Sequence, residues 1–279
     1  MTLKFARYAA LPLLTAAATA GAFLPTAAAQ PGAAAGNYVA FGDSFQANPN
    51  RNDPVIGRGP CAQSDRGIGH HVSNGTGLAL HDYSCNGTTV FSNNAPEKTL
   101  RGQVENAKAQ GSLNGDTKLV TIFAGANDAM VSAFLPAHIH DELFQKGMTE
   151  AIAAVKEAAP NAKVFVVGYP AFTSADEAHF ACPINANGFA PRIPAGLFHM
   201  AEMTLQDRQA RAAEQAGVTF VNQKETANVE VGMCAIDGER QVSAILDSDI
   251  ASYNMTNHPT FLGAEKMGAR IAEEYKTSM

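Results

Sequence analysis

The sequence predicts an α/β fold built on a doubly wound, mostly parallel sheet. Residues 118–124 and 163–168 are apolar nearly throughout, which is typical of central strands covered on both faces. Amphipathic helical patterns separate the strands, and this alternation favours parallel strands joined by right-handed crossovers. The sequence has no evident internal repeat or linker, so we predict one domain over residues 30–279.

The elements follow from periodicity and breaker residues. Strands are predicted at residues 38–41, 81–84, 118–124, 163–168 and 218–221, and helices at 68–80, 100–110, 143–159, 194–216 and 261–275. Segments 46–69 and 223–257 lack a period and are expected to be irregular. Prolines, glycine and asparagines in 174–194 predict a long excursion of the kind that borders a binding site.

Composition excludes one class of partner. Apolar residues make up 46% of the 279 residues and charged residues 16%, which is ample material for a core. The formal net charge is −6 and there is no long basic run. Nucleic acid is therefore not expected as the main partner.

Residues 1–29 have the pattern of a secretory signal. Lys4 and Arg7 provide the positive start, residues 11–25 an apolar stretch, and residues 27–29 the small side chains needed for cleavage. The alternative is a membrane anchor, but a short alanine-dominated segment is poorly suited to a bilayer, which needs ~20 strongly apolar residues. We predict export and removal of this segment, with the mature chain beginning near Gln30 or, alternatively, after Ala35.

Export changes how the four cysteines are interpreted. Oxidising compartments favour disulfides, and the spacing lacks the close pairs typical of metal sites. Three pairings are open. We favour Cys61 with Cys85 and Cys182 with Cys234, because each bridge would tie an irregular loop to a neighbouring part of the framework.

Candidate functional residues follow the ends of successive strands. Ser44 comes after the first strand, Gly87 after the second and Asn127 after the third, while His258 precedes the last helix. Ligands bind at the carboxyl edge of an open α/β sheet, so a serine hydroxyl there is well placed to act as a nucleophile.

Taken in order, these residues resemble the four sequence blocks of the SGNH, or GDSL, hydrolase family. The blocks are Gly-Asp-Ser at 42–44, Cys-Asn-Gly at 85–87, Gly-Ala-Asn-Asp at 125–128 and His-Pro at 258–259. The resemblance extends from residue 37 to about residue 275. It implies a serine esterase with a flavodoxin-like three-layer sandwich around a five-stranded sheet, and it requires neither a cofactor nor a metal.

The resemblance also implies roles for the site residues. Ser44 would attack an acyl carbonyl, and His258 would take its proton and return it to the leaving alcohol. The oxyanion would be bound by the backbone amides of Ser44 and Gly87 and by the side-chain amide of Asn127. Asp43 and Asp128 are expected to shape their turns and stay outside the catalytic set.

The sequence departs from the family at the acid. Many members have Asp three residues before the histidine, where this chain has Met255. Either a main-chain carbonyl near Met255 accepts the His258 Nδ1 proton, or Asp247 or Asp249 substitutes for the missing acid. We favour the carbonyl, because a neutral acceptor can set the orientation and tautomer of the ring.

The cysteines narrow the resemblance to secreted actinobacterial lipases and esterases, which place one disulfide between the Ser and Gly blocks and another later. The leading hypothesis is a secreted hydrolase of acyl esters of lipids or glycolipids. We expect a monomer. Substrates of this kind are compatible with transient contact between the protein and a membrane or the cell envelope. The alternatives are an acyltransferase with the same site and a non-catalytic cell-envelope binding protein.

Overall fold

The computed structural model describes residues 36–49, 61–132, 134–224 and 232–279. These residues belong to one compact unit, Ala34–Met279. The predicted signal, residues 1–29, lies outside the described residues. In the ranges given, none of the helices combines the length and the apolar character needed to cross a bilayer.

Strands and helices alternate through most of the chain. The strands are β1 Asn37–Gly42, β2 Ala79–Asp82, β3 Thr117–Phe123, β4 Lys163–Val167, β5 Phe180–Ala181, β6 Ile184–Asn185, β7 Ile193–Pro194, β8 Thr219–Val221 and β9 Leu246–Asp247. The α-helices are α1 Ser44–Ala47, α2 Ile68–Thr76, α3 Leu100–Ala109, α4 Ala126–Val131, α5 Ala137–Ala158, α6 Gly196–Ala216 and α7 Phe261–Thr277, and a 3₁₀ turn spans Pro96–Lys98.

The central sheet has five strands in the order β2-β1-β3-β4-β8, and every neighbouring pair is parallel. This confirms the predicted fold class. Val39 of β1 lies opposite His81 of β2 and Val120 of β3, so β1 is central. Because all strands point the same way, Gly42, Phe123 and Val167 end at one edge.

Helices cover both faces of the sheet. Alternate residues of β1 face opposite layers: Val39 and Phe41 pack toward α3, α5 and α6, whereas Tyr38 and Ala40 pack toward α2 and α7. All four are fully buried. This two-sided burial explains why β1 and β3 are apolar nearly throughout instead of alternating with polar residues.

The predicted boundary between the second helix and the second strand was wrong. The helix was expected to reach Leu80, but α2 ends at Thr76 and β2 begins at Ala79. Gly77 caps the helix in a left-handed conformation with φ 76°, and its N–H bonds to Ser73 O at 2.8 Å. Leu78 and Leu80 therefore belong to an extended pattern of period two.

Three further predictions need correction. Helix α5 begins at Ala137, six residues before the predicted start at Leu143. Of residues 137–142 only His140 is buried, so this part of the helix shows no apolar period. The segment 174–194 is not wholly irregular, since it contains β5, β6 and β7. Likewise β9 lies within 223–257 and pairs with β6. Such two-residue strands are too short to carry a pattern.

Both favoured disulfides are present. Cys61 and Cys85 are bonded with a Cα–Cα distance of 4.2 Å, and Cys182 and Cys234 with 5.0 Å. Cys182 is part of a small apolar cluster with Met233 and Ala244, separate from the two clusters that flank the sheet. The second disulfide thus links the segment that contains Cys182 to the segment that begins at residue 232.

Candidate active site

Ser44 lies at the carboxyl edge of the central sheet, where β1 ends at Gly42 and α1 begins. The turn is held by Asp43, whose Oδ1 accepts the N–H of Phe45 at 2.9 Å. Asp43 N–H in turn donates to Phe123 O of β3 at 3.0 Å. These bonds anchor the residue before Ser44 to the neighbouring strand, and Ser44 itself is half-buried.

His258 contacts Ser44 directly. Its Nε2 lies 2.8 Å from Ser44 Oγ, and its Nδ1 lies 2.9 Å from the main-chain oxygen of Thr256. The imidazole packs on Phe45 with 4.6 Å between ring centroids. Burial lowers the pKa of His258, and the hydrogen bond to Thr256 opposes that shift. A neutral ring that donates from Nδ1 to Thr256 would leave Nε2 free to accept the serine proton.

The acceptor for the imidazole is a carbonyl, one residue beyond Met255. Met255 O is already bonded to the Ser243 hydroxyl at 2.8 Å. The two carboxylates considered as substitutes have other partners. Asp247 is bound by Arg240 at 2.9 Å and by Ala244 N–H at 2.8 Å, and Asp249 Oδ2 accepts Gly238 N–H at 3.4 Å. This geometry agrees with the expectation of a main-chain acceptor.

Asn127 sits in the first turn of α4, just after β3. Its Nδ2 donates to Thr88 O at 3.0 Å and lies 3.4 Å from Asp43 Oδ2. Gly125, the residue before α4, has a φ of 131°, and an added Cβ there would lie 2.8 Å from Cε2 of Phe144. Close packing of the chain at Gly125 thus positions the Asn127 amide beside the Ser44 turn.

Gly87 lies in the loop that follows β2, with a positive φ of 79°. The loop is joined to β1 by Cys85 N–H, which donates to Gly42 O at 3.0 Å. The buried Gln103 strengthens this link: its Nε2 donates to Gly42 O at 2.9 Å and to Thr88 Oγ1 at 2.8 Å. The blocks that carry Ser44, Gly87 and Asn127 therefore meet at one edge of the sheet.

Asp43 has a second set of contacts that the turn alone does not explain. The carboxyl is fully buried, and its Oδ2 accepts a short hydrogen bond from the Tyr169 hydroxyl. Tyr169 OH also accepts Ala126 N–H at 3.1 Å. Burial raises the pKa of Asp43 to about 7, although the hydrogen bonds from Tyr169 and Phe45 lower it. Asp43 thus connects the Ser44 turn to the start of α4.

Asp128 organises the loop beyond Gly87. Its carboxylate accepts Val90 N–H at 2.7 Å, Phe91 N–H at 3.0 Å and the Ser92 hydroxyl at 3.0 Å. Burial raises the pKa of Asp128, and these bonds oppose the rise. Both aspartates beside the motif residues therefore hold loops and do not contact the Ser44 or His258 side chains.

The side chains of Ser44 and His258 line a cleft of about 350 Å³, which Asn127 also lines. Its walls are largely apolar, contributed by Phe45, Met130, Phe172, Phe198 and Leu205. Lys224 and Glu202 add two charged groups. A larger cavity of about 550 Å³ lies between α3 and α5 and contains none of the predicted site residues.

The described residues contain no group of three or more His, Cys, Asp or Glu side chains arranged to hold a metal ion.

Sequence reasoning missed two residues that position the site. Tyr169 directly follows the end of β4 by two residues, so the rule that selected Ser44 and Asn127 could have found it. Gln103 lies on the buried face of α3 between Leu100 and Val104, where a polar side chain stands out. Neither signal indicates what the side chain contacts.

Comparison with known proteins gives a consistent result. The GDSL-like Lipase/Acylhydrolase family matches residues 40–266. Lipase 2 of Streptomyces coelicolor is 27% identical over 263 residues, covering 83% of this chain and 83% of the relative.

Solved structures share the fold. An extracellular lipase from Streptomyces rimosus aligns with a TM-score of 0.59 at 18% identity, over 86% of this chain and 100% of the other. Phospholipase A1 from Streptomyces albidoflavus aligns with a TM-score of 0.57 at 19% identity, over 87% and 100%. The family match covers most of the chain, so the protein belongs to the GDSL-like lipase/acylhydrolase family and is a carboxylic-ester hydrolase.

Proposed function

We propose that the protein is a secreted serine esterase that hydrolyses acyl esters of lipids or glycolipids through an acyl-enzyme on Ser44. The observation that carries the proposal is the contact of His258 Nε2 with Ser44 Oγ at 2.8 Å inside an apolar cleft. A serine is a weak nucleophile until a neighbouring base accepts its proton, and this spacing permits that transfer.

In the first half of the reaction, Ser44 Oγ attacks the ester carbonyl while its proton passes to His258 Nε2. The carbonyl oxygen gains the negative charge, and collapse of the tetrahedral intermediate expels the alcohol, which takes the proton from His258. Water then attacks the acyl-enzyme in the same way, and Ser44 regains its proton as the acid leaves. The Thr256 carbonyl keeps Nδ1 protonated throughout.

The charge on the carbonyl oxygen needs donors that are already in place. We assign this role to the backbone amides of Ser44 and Gly87 and to Nδ2 of Asn127. The hydrogen bond from Asn127 to Thr88 O, 3.0 Å long, limits the rotation of the side-chain amide. The longer contact, 3.4 Å to Asp43 Oδ2, is the one that Nδ2 would exchange for the oxyanion. A donor held by other bonds needs little reorganisation when the charge develops.

The substrate class rests on the character of the cleft. A cavity walled by phenylalanine, leucine and methionine favours an acyl chain over a sugar or a peptide. The names of two similar proteins, Lipase 2 and phospholipase A1, are consistent with this choice. Export is supported by the leader pattern of residues 1–29 and by two disulfides, which persist in oxidising compartments.

A fluorophosphonate probe and a panel of esters test the mechanism. We expect the probe to label Ser44, and we expect Ser44→Ala and His258→Ala each to lose on the order of 10⁶-fold in kcat. The exposed His138 provides a control, since His138→Ala should label and turn over as wild type. A wild-type protein that is not labelled would contradict the proposal and favour the non-catalytic binding protein.

The pH dependence follows from the lowered pKa of His258. A general base must be neutral, so kcat/KM should stay constant at neutral pH and fall as pH drops through the pKa of His258, below the ordinary histidine range. A rate profile measured with a soluble ester checks this. An acid limb above the ordinary histidine pKa would disagree with the assignment.

A further inference from the structure

Lys224 contributes an ammonium group to the wall of the cleft that contains Ser44. It follows the end of β8 by three residues, so it lies at the same edge of the sheet as the proposed nucleophile. Most of the surrounding wall is apolar, with Phe172 and Leu205 among its members. The proposed mechanism makes no use of this charge.

Among the described residues, the ammonium of Lys224 has few partners. Lys224 Nζ donates one hydrogen bond, 3.3 Å long, to Tyr169 O, and it forms no ion pair with a carboxylate of these residues. Burial lowers the pKa of Lys224, while the charge of Glu202 partly offsets this. A lysine ammonium has three donors, so the described residues leave part of its donor capacity unused.

Glu202 forms no ion pair with Lys224 and is held by other partners. Its carboxylate accepts Phe172 N–H at 2.8 Å and a short bond from the Thr173 hydroxyl. The side chain is 6% exposed. Glu202 therefore serves to fix the segment at 172–173, and its charge acts on Lys224 from a distance.

A second, smaller cavity shares the same lysine. Lys224 lines this space, of about 170 Å³, together with polar side chains such as Thr173 and Gln206 and apolar ones such as Met203. The buried Oε1 of Gln206 has no hydrogen-bond partner among the described residues. Lys224 thus lines both the cleft that contains Ser44 and this second space.

We propose that Lys224 binds an anionic oxygen of the substrate, so that the preferred ester carries a carboxylate or a phosphate on the part that lies in the cleft. A compact ammonium in an apolar wall attracts such a group strongly, because little water competes for it. The inference rests on the proposed function, in which Ser44 is the nucleophile. It adds the substrate feature that Lys224 selects.

The test compares esters that differ only in the anionic group. One arm uses para-nitrophenyl hexanoate against the para-nitrophenyl monoester of adipic acid, which places a carboxylate at the end of an acyl chain of equal length. The other arm uses a short-chain diacylglycerol against the phosphatidate with the same chains. The first arm reports a carboxylate on the acyl side, and the second a phosphate on the alcohol side.

For wild type, we expect kcat/KM to favour the anionic ester by at least about tenfold in one arm, the size of a hydrogen bond between charged groups. Lys224→Met keeps the apolar stem and should reduce that preference by about the same factor. Lys156→Met is the control, since Lys156 also donates to one main-chain oxygen, Ala216 O at 3.0 Å, but is exposed and lies outside the cleft.

The outcomes separate the two proposals. Equal hydrolysis of neutral and anionic esters by wild type in both arms overturns the role of Lys224 and leaves the Ser44 mechanism standing. The role of Lys224 is also overturned if the Lys224→Met variant unfolds at the same temperature as wild type and keeps the wild-type preference for the anionic ester. Wild type that hydrolyses none of the esters contradicts the proposed function itself. If Lys224→Met does not fold, the wild-type preference and Lys224→Gln decide.

Discussion

Ser44 and His258 are held by two different kinds of structure. Ser44 follows β1, a fully buried strand with partners on both sides, and its turn is tied to β3. His258 lies in a segment, residues 232–260, where the structure describes only the short strand β9. His258 is thus placed by an irregular segment held by polar side chains, whereas Ser44 is placed by the sheet.

Arg240 is the centre of the segment that carries His258. The side chain is 1% exposed, and it donates to Ala235 O at 2.6 Å, Asp237 at 2.6 Å and Asp247 at 2.9 Å. Its own carbonyl accepts the Thr260 hydroxyl at 2.6 Å, just before α7. The site therefore joins a part determined by the local apolar pattern of a strand to a part determined by polar contacts within an irregular segment.

Removing the polar contacts of Arg240, in the segment that carries His258, should have the largest effect on stability. Arg240→Met leaves the buried Asp247 without its cation and should lower the free energy of unfolding by about 3–5 kcal/mol. Urea unfolding at neutral pH measures it. Arg211→Met is the control: Arg211 pairs with Asp141 but is about half exposed, so its loss should cost under about 1 kcal/mol. Equal effects would show that the 232–260 segment does not depend on Arg240.

Removing the side-chain amide of Asn127, at the edge of the sheet, should slow the reaction and leave the fold intact. Asn127→Ala is expected to lower kcat by about 10²–10³ while the melting temperature stays within a few degrees of wild type. Asn106→Ala, an exposed change on α3, controls for the loss of an amide. A fall in kcat that is matched by a fall in melting temperature would make Asn127 structural.

The two disulfides allow a direct comparison of the regions. Paired Cys→Ser changes at 61 and 85, or at 182 and 234, open loops with separations of 24 and 52 residues, and each should destabilise by about 3–4 kcal/mol. Only the first pair adjoins Gly87, so at a temperature where both variants are folded we expect that pair to lose more kcat. Equal kcat values for the two variants would show that the loop carrying Gly87 does not depend on the Cys61–Cys85 disulfide.

The smallest expected effect concerns Asp43 and pH. Its folded pKa of about 7 exceeds its ordinary value, so between roughly pH 4 and 7 the folded state holds a proton that the unfolded state has lost. Stability contributed by this group is therefore present at low pH and lost as pH rises through 7. Comparing the free energy of unfolding at pH 5 and 8, Asp43→Asn should reduce the loss by roughly 1–3 kcal/mol. An identical difference in wild type and variant would argue against the buried carboxyl as its source.

The sequence alone determined the sheet and the positions of the motif residues. Central parallel strands are buried on both faces, so β3 and β4 are visible as continuous apolar runs, and the residues that follow β1, β2 and β3 could be assigned to one edge. The same reasoning identified Ser44, Gly87 and Asn127. The resemblance to the family showed that no acid stands at the usual position, three residues before His258, and we therefore favoured a main-chain acceptor over Asp247 or Asp249.

Tertiary structure decided what contacts each of these residues. Three hydrogen bonds show this. His258 is bonded to Thr256 O in an irregular loop, Tyr169 donates to the distant Asp43, and Gln103 donates to the distant Gly42 O. Apolar periodicity is a local signal that reports which face of an element is buried. A hydrogen bond between distant segments depends on how those segments pack, so only the folded chain could reveal how His258 is held against Ser44.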